Sequence, residues 1–577
     1  VRVEVDTEPL PETMLGFTPP ALKSVTLNAT DLPLKGFLPE VEGYDLRRVA
    51  LTADLTAEPS DNEVAFGGTV SAGPINWVEG AQTGPSFSVG SVIDASYGFE
   101  SGETSFSGTK IEIGPLVFEI MGKATTTPAV TGRAKVETTR GVKLSQLAPL
   151  APGLDALPPA ALTVAFDARY NEEAAVLDSL VVGIANAMLK GRVRYPLSPK
   201  GQITASFDTG EVDLNLLMKN LRVEGVALPH GSRLVVKGDY AAAVEAPAEG
   251  RVNLAKIGFV AGESRLDASG AITRLSPLVA RFEGSSPHLN LDRLMPPPSE
   301  DEPTPTDEPS AASGMEEVSV TAVLSVDELV YSGVTARDAE ATIVLENERL
   351  ELERLRLNVF GGRFSASGTT LDLAKDPIAY HVAAKLESLE ASEVMGFMSD
   401  TLGRTLSGEL STDIDLDGAG FDMASIAKTL SGSLAMTLTS GELSGIDLIG
   451  SAAQPVSKAL KVADFKPSDK LVTDFRRLAA TFTVEDGRFV STKPVSFDTP
   501  SGDVTLDGSV GLDQTLSLSG QVELSPDFIR SLSGGRVRPG RPVPVGLRLG
   551  CELTSPCVEG VDAESAVAAL ARAAAGE

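Results

Sequence analysis

Positive charge is in short supply. Lys and Arg number 49 against 79 Asp and Glu, a formal charge of −30. Such a chain is repelled by nucleic-acid phosphates, which argues against a DNA or RNA partner. Aromatic residues make up only 5%, with one Trp (Trp77) and seven Tyr, too few for the girdles of a membrane β-barrel. No uninterrupted run of 18 apolar residues exists, so no helix is expected to span a bilayer. Histidine is scarcer still: His230, His288 and His381 stand alone, with no pair at zinc-ligand spacing. P-loop, nucleophile-elbow, H-E-x-x-H and dinucleotide-binding signatures are all missing. The expectation is therefore no enzyme activity, no cofactor and no metal. Val1 in place of Met, with no charged leader or cleavage site, suggests a trimmed or processed chain.

What is present has period two. The 577 residues are 42% apolar, enough for a core, and their length suits three or four ordinary domains or one long repetitive architecture. Val318, Val320, Ala322, Leu324 and Val326 alternate with Ser319, Thr321 and Ser325. Ile378, Tyr380, Val382, Ala384 and Leu386 form another such face, and so do Leu434, Met436 and Leu438. Leu478, Ala480, Phe482 and Val484 form another set, and Val543, Val545, Leu547 and Leu549 the last. Each set predicts a strand with one dry and one wet face. Leu350 and Leu352 lie on one parity and Leu355, Leu357 and Val359 on the other, which predicts a β-bulge near Glu353 and Arg354. Helical patterns are confined to 389–402, 423–430, 451–461 and 561–575, where Asp562 is placed to cap. That is too little helix to cover every dry face. Those faces must meet each other, or something that is not protein.

A strand, a glycine turn, a second strand and a Leu-rich helical stub recur at 118–147, 187–217, 264–294 and 363–394. A further copy, 501–530, reads as lacking the stub. The turn glycines Gly122, Gly191, Gly270, Gly368 and Gly508 imply a period of about 70–80 residues, suited to extending one sheet. Residues 296–314 hold six Pro and five acidic residues with no base, an exposed linker or loop. It separates an N-terminal repetitive region, 1–295, from a C-terminal region, 315–577.

Candidate chemistry is sparse. Asp413, Asp415, Asp417 and Gly418 imitate the opening of a calcium loop, but its twelfth position is Ala424 rather than Glu. Ile414 and Leu416 alternate with these aspartates, which puts the carboxylates on the wet face of a strand. Cys551 and Cys557 flank a turn; in an oxidising compartment they could close a disulfide, or they are two reduced thiols. Arg530, Arg536, Arg538 and Arg541 make a basic stretch that reads as a solvated loop or a contact for anionic headgroups.

From about 315 onward the chain resembles the C-terminal region of AsmA-like bacterial envelope proteins, which include TamB relatives. The resemblance is carried by the strand-rich lead 318–368 with Phe-Gly-Gly at 360–362. It continues through 406–448, with Gly408, Gly418, Gly420, Gly432, Gly441 and Gly445, then 475–490, 519–526 and the terminal strand and helix of 543–575. It implies a mainly β fold: a long antiparallel sheet curled into a taco-like, repeating β-groove with an apolar interior and a few short α-helices. The implied function is a periplasmic lipid-binding or lipid-transfer protein, carrying phospholipid acyl chains between inner and outer membranes. Its implied partners are phospholipids and inner- or outer-membrane or envelope proteins. The membrane helix typical of the family has no counterpart here, so tethering to the inner membrane is expected through a segment outside this chain. Groove-lining candidates are Val320, Ala322, Leu324, Leu355, Leu357, Val359, Ile378, Tyr380, Val382, Ile414, Leu416, Leu434, Met436, Leu438, Phe482, Val545 and Leu547. The alternatives are an envelope assembly scaffold without lipid cargo, and a secreted β-rich adhesin or stalk.

Overall fold

In the computed structural model the alternating segments form antiparallel strands, 34 of them among the described residues. The structure describes all residues except 8–21, 36, 37, 39, 40, 42, 80, 81, 126–128, 151–159, 224–227, 276, 295–317, 400, 463–470, 576 and 577. The acidic Pro-rich stretch 296–314 lies outside the described residues. The chain divides into two units, one of Val1–Ala280 with Arg293–Met295 and one of Arg281–Asp292 with Pro296–Glu577.

The local repeat is visible in both units. Strands Leu116–Thr125 and Thr131–Thr138 lead to a 3₁₀ turn at Leu144–Leu147. Strands Ala187–Pro196 and Gln202–Asp208 lead to the helix Leu214–Leu221. In the second unit, Ala379–Glu390 runs into the helix Ala391–Met398. The copy at 501–530 does carry a stub, contrary to the expectation: Pro526–Leu532 is a helix, capped by the Ser525 hydroxyl accepting from the Phe528 N–H. Pro526 at the first helical position and Ser525 before it are the local cause.

The repeat glycines need correcting. Gly122, Gly191, Gly270 and Gly508 lie inside strands rather than at turns. A Cβ on Gly122 would sit 2.1 Å from the Arg133 carbonyl oxygen, and one on Gly508 would meet that of Ser517 at 2.0 Å. These positions let neighbouring backbones approach closely, the other use of glycine in a strand.

The bulge falls where the parity slips. Thr342 pairs with Arg354 and Ile343 with Leu352, leaving Glu353 as the extra residue. On its other side the same strand changes partners. Leu355 pairs with Ala366 and Leu352 with Thr369.

The largest core belongs to the second unit. The helix Leu448–Ala459 contributes Leu448, Ala452, Ala453 and Val456, all fully buried. The helix Ala563–Ala575 adds Ala566, Ala569 and Leu570, and Ile529 comes from the stub. Among the described residues no helix is long and apolar enough to cross a membrane.

Candidate functional site

Residues directly opposite on antiparallel strands point to the same face of a sheet. The register therefore shows which dry positions belong together. In the second unit one line crosses eight strands: Leu324, Ala341, Leu355, Ala366, Ala384, Ile414, Leu434 and Phe482, each paired with the next. Val320 and Ala322 extend it along the first strand, facing Leu345 and Ile343. Leu357 faces Phe364, Val382 faces Leu416, and Thr412 faces Met436. Val359 faces Gly362 and Tyr380 faces Gly418, with Ile378 just before the strand on the same parity. The candidates are joined into a single apolar face.

That face is covered unevenly. Val320, Ala322, Leu324, Leu355, Leu357, Val359, Ile378, Tyr380, Val382, Ile414, Leu416, Leu434 and Met436 are all only half-buried. The other four candidates do not share this exposure. Leu438 and Val545 are 0% exposed, Leu547 2% and Phe482 7%. They sit in the core with residues of the helices Leu448–Ala459 and Ala563–Ala575, packed against protein rather than left open on that face. A second line shows the contrast. Leu389, Leu410, Leu438, Leu478, Phe497, Val504, Val522 and Val545 pair in sequence and every one is buried.

Aromatic side chains stand at the margins of the half-buried stretch. Phe421 stacks on Tyr380 with ring centroids 5.7 Å apart, and Phe360 meets Phe397 at 6.3 Å. The Tyr380 ring lies over Gly418, where a Cβ would stand 2.4 Å from its hydroxyl. Sequence reasoning missed Phe397 and Phe421; the available signal was an aromatic beside a strand-end Gly, as in Gly420–Phe421.

On the wet face, Asp413, Asp415 and Asp417 are exposed, as their alternation predicts. Lys385 pairs with Asp413 at 3.2 Å. His381 Nδ1 lies 3.0 Å from Asp417 and 3.9 Å from Asp415. The three form a cluster whose potential ligand atoms lie within 4.8 Å of one another. His381 is isolated in sequence and joins the aspartates only through strand pairing. Cys551 and Cys557 form a disulfide at the turn between the last two strands.

The AsmA family model matches residues 197–493, just over half of the chain. This chain belongs to the AsmA family. The match begins upstream of the Pro-rich stretch, so AsmA character reaches into the N-terminal region that resembles the family only in its repeat style. It ends before the strands and helix of 543–575. AsmA family proteins are envelope-associated. No curated protein matches this chain.

Proposed function

We propose that this AsmA family member is a periplasmic lipid-transfer protein that shelters phospholipid acyl chains on the apolar face between inner and outer membranes. The observation that carries the reading is the register-continuous line from Leu324 to Leu434, half-buried at every position but the buried Ala366. A hydrocarbon tail left in water costs about 0.8 kcal/mol per CH₂, so a tail of about 15 methylenes gains on the order of 12 kcal/mol from a fully dry trough. Solvation alone lowers the barrier, and no catalytic group takes part. Phospholipids are the proposed cargo. Envelope proteins of either membrane are the proposed partners, with tethering to the inner membrane through a segment outside this chain.

The test is lipid extraction and native mass spectrometry of the purified chain. Phospholipid should co-purify, and Leu357→Asp or Val382→Asp should lower its occupancy while the protein stays folded. Lipid-free wild-type protein, or folded variants with undiminished lipid, would reject the placement. A scaffold without cargo is the second reading, favoured by the closed packing of Leu438, Phe482, Val545 and Leu547.

A further inference from the structure

The polar face of the first unit carries an arrangement that neither the fold nor the lipid reading requires. Lys123 on the strand Leu116–Thr125 is directly opposite Arg133, and Arg133 is directly opposite Arg169 on the strand Ala161–Tyr170. Three cations thus stand abreast on adjacent strands, about 4.8 Å apart. Like charges directly opposite destabilise a sheet, and here they do so in a chain with 30 excess negative charges. Acidic neighbours compensate only in part. Lys123 pairs with Glu103 at 2.6 Å, while Arg169 and Arg192 both use Asp178. Arg133, the middle member, takes part in none of these pairs. These side chains border an open concavity of about 1020 Å³, with the Thr125 and Thr131 hydroxyls, 2.7 Å from each other, along the same wall.

We propose that this concavity binds a phosphate oxyanion, with Arg133 as its central ligand and Lys123 and Arg169 on either side. Guanidinium groups offer paired N–H donors that match phosphate oxygens, and an anion between them removes the mutual repulsion. The shared chemistry is that of free phosphate and of the headgroup of an anionic lipid. The site lies on the polar face and stands independently of the trough.

Two arms of one experiment, run on the full chain, separate the sources. In the first, sodium phosphate is compared with sodium chloride at matched ionic strength in thermal melts. In the second, the protein is floated with vesicles of phosphatidylglycerol or of phosphatidylcholine alone. Phosphate should raise the wild-type Tm beyond the chloride control, since a ligand bound only to the folded state stabilises it. Arg133→Gln should abolish that shift, and its own Tm without phosphate should equal or exceed that of wild type. Retention by phosphatidylglycerol vesicles alone, falling about fivefold or more in Arg133→Gln, would assign the oxyanion to a headgroup. Lys123→Gln, at an exposed position, serves if Arg133→Gln fails to fold. Wild type and the folded variant behaving alike in both arms would overturn the proposal.

Discussion

Leu357 and Leu438 are equally apolar and sit on the same face of the same sheet, yet their surroundings differ completely. Leu438 is enclosed by Leu410, Leu478 and the helices behind them, so truncation leaves a cavity that packed neighbours cannot fill. Leu438→Ala is expected to cost about 2–5 kcal/mol in urea denaturation, the range for a buried leucine. Leu357→Ala should cost less than half as much, because its side chain is already partly in water. Equal losses would mean that Leu357 is a core residue after all. Gly418 offers another residue-scale check. A valine there collides with the ring of Tyr380 and breaks its stack on Phe421, an aromatic pair of the kind worth about 0.5–1.5 kcal/mol. A lowered Tm for Gly418→Val, absent when combined with Tyr380→Ala, is the expected outcome.

At the scale of elements, Asp422 and Asp562 cap the short helices Met423–Thr429 and Ala563–Ala575, as Asp213 and Asp447 cap two others. Asp422 accepts from the backbone N–H groups of Ala424 and Ser425, and Asp562 from that of Ser565. Both carboxyls are held below the ordinary value of 3.8, first by the serine side chain and then by backbone N–H groups. A carboxyl that is more acidic in the folded chain contributes its stabilisation above the unfolded value and loses it as pH falls through the folded one. Amide protection in the helix Ala563–Ala575 should therefore stay level from pH 7 to about 4 and decline only below that. Asp562→Ala should lower protection at pH 7 and flatten the acid decline. Elements are also where the sequence was most readable. Strict alternation located the strands, and the parity change at Leu352 and Leu355 located the bulge at Glu353. The strand-interior glycines were misread because a glycine admits both a turn and a close backbone approach, and only the partner strand distinguishes them. Covering was not legible at all. Leu434 and Leu438 obey the same alternation on one strand, yet Leu438 lies inside the core while Leu434 is only half-buried at its border, a difference set by residues distant in sequence. His381 was invisible for the same reason, since its aspartate neighbours arrive by pairing at a distance of more than 30 residues.

For the molecule as a whole, 30 excess negative charges repel one another more when the chain is compact. Raising ionic strength from about 0.01 M to 0.15 M shortens the screening length from about 30 Å to about 8 Å and should raise the Tm. A Tm that falls with added chloride would show instead that attractive pairs dominate. The graded covering of the second unit has a directional consequence. On the proposed reading, a fatty tail creeping from strand to strand toward the carboxyl terminus runs into the packed core at Phe482. Departure would then be sideways, past Phe397 or Phe421, and unloading would be a lateral event along the flank of the sheet rather than a discharge from its tip.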